Sequence, residues 1–206
     1  MESPTLYLTV GISGSGKSTF TKHILDSIQA VEVNADNIRA ELGDISDQSN
    51  NKKVFEILDE RVNQYLAGGY NVIISNTNLN FFTIEDYHRK YPFNKICVFI
   101  LMDSKNPELC KERIHNDISN GIKRSKVPDE IVDKQFEKFE KFLKDLSNAE
   151  KNDDITFLSV NEKFEIFEMM PFLKVETLWR KFLFFCLNIN SFSDKEERQW
   201  EERQLR

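Results

Sequence analysis

The sequence predicts a three-layer α/β fold, with a parallel sheet of about five strands between two layers of helices. Two observations carry that reading. Short apolar runs alternate with helical patterns from residue 5 to residue 160, and strands that alternate with helices assemble as right-handed βαβ units. A glycine-rich stretch, Gly11-Ile12-Ser13-Gly14-Ser15-Gly16-Lys17-Ser18-Thr19, lies between the first strand pattern and the first helix pattern. It fits G-x-x-x-x-G-K-[ST], the P-loop that cradles nucleotide phosphates, in the strand–loop–helix order the motif needs.

The elements follow in order. Residues 6–10, LYLTV, read as a short buried strand, and residues 20–28 as a helix with Phe20, Ile24 and Ile28 on one face. Val31-Glu32-Val33-Asn34 reads as a second strand, with Asp36 placed to cap the helix after it. Residues 43–53 are polar and read as a loop. Residues 54–66 form an amphipathic helix with Val54, Phe55, Leu58, Val62, Tyr65 and Leu66 on its apolar face, stopped by Gly68-Gly69. The uninterrupted apolar core of residues 71–76 suits a parallel strand covered on both faces. Residues 82–90 read as a helix, and residues 95–102, KICVFILM, as the fourth and most apolar strand. Pro107 opens a helix running to about residue 116, and a basic segment spans 121–128. Residues 129–146 form a long helix with Val132, Phe136, Phe139, Phe142, Leu143 and Leu146 towards the core, and residues 154–160 are the fifth strand. Together with the P-loop, this order predicts a three-layer P-loop kinase fold over residues 1–160.

Residues 161–206 read as a separate, helical, aromatic-rich extension. Residues 178–187 are nearly all apolar, and Ser193-Asp194-Lys195-Glu196 matches a capping box ahead of a charged helix. The aromatic segment is a candidate surface for contact with a second copy of the chain. The sequence shows no internal repeat and no low-complexity linker.

Composition narrows the function classes. With 206 residues, 30% of them charged, and a mean hydropathy of -0.49, the chain reads as a soluble globular protein. No apolar run approaches the length of a membrane span, and the N-terminus lacks the basic and apolar regions of a secretory signal. Three widely spaced cysteines, Cys97, Cys110 and Cys186, argue against a disulfide framework and for the reducing cytoplasm. Cys97, in an apolar run, reads as a core residue. His23, His88 and His115 lack metal-ligand spacing. A net charge of -6 gives no global attraction to nucleic acid, although a local basic groove is compatible with it.

In an open parallel sheet, ligands sit at the carboxyl ends of the strands, so the residues just past each strand carry the chemical signal. After the first strand, the loop amides of Gly11, Ser13, Gly14, Ser15, Gly16 and Thr19 can surround phosphate oxygens. Lys17 can reach the β- and γ-phosphates, and the Ser18 hydroxyl can ligate Mg²⁺. This motif points to ATP and Mg²⁺. After the second strand come Asp36 and Arg39, three residues apart on one helix face. They read either as a proton acceptor with a phosphate-binding partner or as a helix cap with an ordinary ion pair. After the third strand, Ser75-Asn76-Thr77-Asn78-Leu79-Asn80 reads either as turn chemistry or as a shelf for substrate. Arg113, Lys123, Arg124 and Lys126 read either as a mobile lid that stabilises charge on a moving phosphoryl group or as an exposed basic loop.

The combination of GxSGSGKST, VNADNIR, IISNTNLN and a C-x-x-R segment leading to K-R-S-K-V-P resembles the 5′-kinase domain of phage polynucleotide kinases. The resemblance covers residues 5 to about 146. It implies that Lys17 and Ser18 bind the ATP phosphates and magnesium. Asp36 would be the general base on a 5′-hydroxyl, and Arg39 would contact the acceptor's 3′-phosphate. Asn76, Thr77 and Asn78 would lie at the acceptor site, and either Arg113 or Arg124 would be the lid arginine. The chain departs from the family in three ways. Asn76 stands where the family has aspartate, the lid spacing is longer, and the D-x-D-G-T string of the phage enzyme's phosphatase module does not occur.

The expected function is an ATP-dependent 5′-hydroxyl kinase acting on DNA or RNA ends, without 3′-phosphatase activity. The alternatives are a kinase of a small molecule, such as a nucleoside, nucleotide or sugar-nucleotide, and a non-catalytic nucleotide-binding subunit that uses the aromatic tail for assembly.

Overall fold

A computed structural model describes residues 3–169 apart from 44, 46–48, 123 and 151. The order is β1 (Leu6–Val10), α1 (Lys17–Ile24), β2 (Ala30–Val33), α2 (Ala35–Leu42), α3 (Asn51–Ala67), β3 (Asn71–Ile74), α4 (Phe81–Lys90) and β4 (Ile96–Leu101). A 3₁₀ turn (Met102–Lys105), α5 (Pro107–Ser119), α6 (Asp129–Asn148), β5 (Ile155–Val160) and β6 (Ile166–Glu168) follow. The sheet order is β2-β3-β1-β4-β5-β6. The first five strands are parallel, and β6 pairs antiparallel with β5. The sheet therefore has six strands rather than five, the last lying past residue 160. The expected helix over 178–187, the capping box, the charged terminal helix and Cys186 lie outside the described residues.

Period-two alternation sorts the strand side chains onto two faces. Leu6, Leu8 and Val10 of β1, Val72 and Ile74 of β3, and Ile96, Val98 and Ile100 of β4 pack on one face with Ile38, Leu58, Ile84, Ile114 and Phe139 from α2 to α6. Ile73, Phe99 and Leu101 point the other way and meet Phe20 and Ile24 of α1. Phe99 anchors that second face. Phe20 meets it edge-on at 5.1 Å between centroids, and Tyr7 stacks on it at 5.8 Å. Arrangements of this kind add to the stabilisation from burial alone. Cys97 is only partly buried there, and burial still pushes its thiol up to about 12.

Asparagines set three of the helix starts. Asn34, in extended conformation, accepts from the Asp36 and Asn37 amides, so it caps α2 rather than Asp36. This leaves the Asp36 carboxylate available for other partners. Asn80 caps α4, and Asn106 caps α5 ahead of Pro107. Phe136 of α6 stays outside the buried core, whereas Val132, Phe139, Phe142 and Leu146 are fully covered. Among the described residues, no helix is long and apolar enough to cross a membrane.

Candidate active site

The site forms where the connections part. β1 lies between β3 and β4, so the chain leaves β1 towards β2 on one side and returns to β4 on the other. Such a switch opens a crevice at the carboxyl ends of the strands.

The phosphate loop is built from backbone. The Gly11 N–H donates to the Thr77 carbonyl (3.0 Å), the Ile12 N–H to Ser104 Oγ (3.1 Å), and the Ser13 N–H to Gln135 Oε1 of α6 (2.7 Å). Gly14 has a φ of +82°, and a Cβ there would lie 2.3 Å from the Cys110 carbonyl oxygen of α5. That neighbour is main chain and cannot swing aside. α1 then starts at Lys17 with no side chain capping its amides. Such unsatisfied N–H groups, together with the helix dipole, suit an anion. Ser18 and Thr19 are exposed on the first turn. Among the described residues no cluster of His, Cys, Asp and Glu is placed to hold a metal ion. Ser18 fits the magnesium expected at this motif, because that ion is bound by few protein groups and completes its shell with phosphate and water.

Lys17 is partly buried. Its Nζ donates to the Gly11 and Ile12 carbonyls at 3.0 and 2.6 Å. Burial lowers its pKa to about 8, and the Arg124 charge pushes the same way, while Asp36 opposes the shift. The charges of Asp36 and Arg124 are thus felt at the P-loop lysine, although they stem from different parts of the chain.

Asp36 sits just past β2, half-exposed, and accepts from Arg39 Nη1 at 2.6 Å. Arg39 is buried, and its Nη2 donates to Asn51 Oδ1 at the start of α3 (2.8 Å). Its Nε has no partner among the described residues. The ion pair that the spacing allowed is therefore present, and Asn51 holds its arginine from the other side.

The polar run after β3 stitches strand ends together. Asn34 Nδ2 donates to the Ser75 carbonyl and hydroxyl (3.0 and 2.7 Å), and the Ser75 hydroxyl donates in turn to Glu32. Asn76 Oδ1 accepts from the Ala35 N–H (3.1 Å), and its carbonyl accepts from the Thr9 hydroxyl (3.0 Å). Asn78, at a φ of +47°, donates to the Thr9 carbonyl (2.9 Å). Thr77 serves the loop through its main chain. Asn76 Nδ2 is buried and has no partner among the described residues.

The two arginines differ. Arg113 of α5 is tied to Asp103 (2.7 Å) and reaches the Gly14 carbonyl (3.4 Å). Arg124, on the basic segment, donates to Asp117 (2.5 Å) and keeps a buried Nε that has no partner among the described residues. Lys126 is exposed, and Lys123 lies outside the described residues. Sequence reasoning missed Ser104, Asn51 and Gln135. Their one signal was polarity beside apolar positions: Gln135 follows Val132 by three residues and precedes Phe139 by four, inside an otherwise buried stripe.

No curated protein matches the chain. Among solved structures, the chain is similar to a component of the Pnkp1/Rnl/Hen1 RNA repair complex, at 20% identity and a TM-score of 0.63. That match covers 85% of this chain and 51% of the other, so the chain spans about half the length of that relative. A component of the PezAT chromosomal toxin–antitoxin system of Streptococcus pneumoniae aligns at 18% identity and a TM-score of 0.59, covering 100% and 87%. A gluconokinase from Sinorhizobium meliloti 1021 aligns at 16% identity and a TM-score of 0.49, covering 78% and 84%. At these identities the first two likenesses show the shared P-loop fold. The AAA_33 family model, described as an AAA domain, matches residues 6–142, and the chain belongs to that family.

Proposed function

We propose that this protein is an ATP-dependent polynucleotide 5′-hydroxyl kinase. The observation that carries the reading is the position of Asp36: at the carboxyl end of β2, half-exposed, its charge felt at Lys17. A carboxylate so placed can take the proton of an attacking hydroxyl while the loop holds the triphosphate. The resemblance of the strand-end motifs to phage polynucleotide kinases supports the polymer acceptor, as does the fold shared with a chain of an RNA repair complex.

In this reading the loop amides and Lys17 bind the donor phosphates, and Ser18 would hold Mg²⁺, which supplies charge neutralisation on the phosphates. Arg39 orients Asp36 and meets the acceptor's phosphate. The lid arginine is either Arg113, which reaches the Gly14 carbonyl of the loop, or Arg124 on the basic segment; each rests on an aspartate, Asp103 and Asp117. Asn76 and Asn78 hold the acceptor side of the crevice in shape.

A second reading, a kinase of a small molecule, is favoured by Asn76. Without a charge at this position the crevice lacks one anionic contact for an acceptor. The acidic net charge also attracts no extended phosphate backbone.

The test is transfer of γ-labelled phosphate from ATP and Mg²⁺ to a short 5′-hydroxyl oligonucleotide. Wild type labels the 5′ end. Asp36→Asn loses about 10²–10⁴-fold in turnover with ATP affinity retained. Wild type that binds ATP but labels no oligonucleotide overturns the proposal and moves the search to small hydroxylated acceptors.

A further inference from the structure

Gln135 is a half-buried polar side chain at the edge of the apolar stripe of α6. Val132 and Phe139 on either side of it are fully buried, and a polar group in such a place is costly unless it is bonded. Its Oε1 accepts from the Ser13 N–H of the phosphate loop at 2.7 Å, across 122 residues of sequence. A backbone N–H can only donate, so the amide orientation is fixed: oxygen towards Ser13, NH₂ turned away from it. That NH₂ finds no partner among the described residues.

The neighbours say which end of the phosphate site this is. Lys17, the lysine that reaches β- and γ-phosphates in this motif, rests on the Gly11 and Ile12 carbonyls. The outer-phosphate end of the cradle is thus beside the first residues of the loop, and Ser13 comes next. α6 is also tied to α5 here: Lys111 of α5 binds Asp133, two residues before Gln135, at 2.7 Å.

We propose that Gln135 reads the terminal phosphate of the bound nucleotide. It keeps Oε1 on the Ser13 N–H and donates its Nε2 hydrogens to a γ-phosphate oxygen, so that α6 distinguishes a nucleoside triphosphate from a diphosphate. This rests on the nucleotide-binding reading of the loop and is independent of which acceptor the protein uses.

The experiment measures Kd for ATP and for ADP, each with Mg²⁺, on the full chain carrying Gln135→Glu or Gln135→Met. Glutamate keeps the acceptor for Ser13 and replaces the donor with a negative charge. Methionine keeps the volume and removes both. A hydrogen bond to a charged group is worth about tenfold or more in affinity. Gln135→Glu therefore weakens ATP about tenfold or more while leaving ADP nearly unchanged, and Gln135→Met shifts the ATP-to-ADP ratio in the same direction by a smaller factor. Equal weakening of both nucleotides, or no change in either, overturns the proposal and makes Gln135 a loop support only. Wild type that binds neither nucleotide is a different failure: it removes the nucleotide site itself.

Discussion

At the phosphate loop the backbone carries the geometry, whereas at the ends of β2 and β3 side chains carry it. Gly11, Ile12 and Ser13 use their amides to bond Thr77, Ser104 and Gln135, and the loop's own side chains add little. Past β2 and β3, the side chains of Asn34, Asn76 and Asn78 bond the main chains of Ser75, Ala35 and Thr9, and Asp36, Arg39 and Asn51 form a relay of side chains. Geometry fixed by the backbone tolerates almost no change at its glycines. Geometry fixed by side chains can change its specificity one residue at a time.

The largest effect that would sharpen this contrast is Gly14→Ala. A Cβ at 2.3 Å from the Cys110 carbonyl, on a residue with a φ of +82°, forces the loop away from α5. The expected loss is about 3 kcal/mol of stability, with ATP binding abolished. Gly121→Ala is the control. Gly121 has a φ of +71° but open space around it, so it loses only about 1 kcal/mol. Thermal melts and nucleotide titrations compare the two. Equal effects at the two sites would show that conformation alone, and not the approach of α5, makes the loop intolerant.

This division also explains what was legible beforehand. The phosphate loop was readable because a backbone-built site demands particular residues at fixed spacing, and Gly14 shows why. The sheet was readable because β3 and β4 are buried on both faces and so read as unbroken apolar runs. Asp36 and Arg39 were found, but their pairing could not be separated from an ordinary helical ion pair, and the cap went to Asn34 instead. Asn51 and Gln135 were not singled out, since polarity beside apolar positions was their one local signal and it does not tell which distant partner each bonds. β6 was missed because a three-residue edge strand, Ile166–Glu168, is exposed throughout and shows no alternation to read.

A smaller effect tests whether the loop's lysine waits in a changed ionisation state. With a pKa of about 8, Lys17 loses its charge as pH rises through that value, whereas the unfolded chain holds the proton to near 10.5. Between those values the unfolded state binds more protons, so this group makes stability rise with pH there and contributes no slope below about 7. Nucleotide binding works in the opposite sense. Triphosphate restores the charge, so binding takes up nearly one proton at pH 9, and affinity is about tenfold weaker than at pH 7. Calorimetry in two buffers of different ionisation enthalpy measures the uptake. No proton uptake at pH 9 would mean that the lysine stays on the Gly11 and Ile12 carbonyls with nucleotide bound.

Asn76→Asp tests the side-chain end of the crevice through the acceptor and leaves nucleotide binding alone. Asn76 Oδ1 accepts from the Ala35 N–H, and aspartate offers the same acceptor, so that bond survives. What changes is the other half of the group. The buried Nδ2, a donor without a partner, becomes an acceptor oxygen with a share of negative charge, near the start of α2 where the helix dipole favours it. Burial of that unpaired charged oxygen outweighs the dipole and costs about 1–3 kcal/mol, while ATP affinity is unchanged because the phosphate loop is untouched. The acceptor side responds: if Asn76 Nδ2 is kept for a substrate oxygen, aspartate raises KM for the acceptor at constant kcat, and Asn76→Ala raises it as well. A lower KM for a 5′-hydroxyl oligonucleotide in Asn76→Asp would instead show that this chain uses asparagine to turn away the polymer that the aspartate-bearing family accepts, and would favour the small-molecule reading.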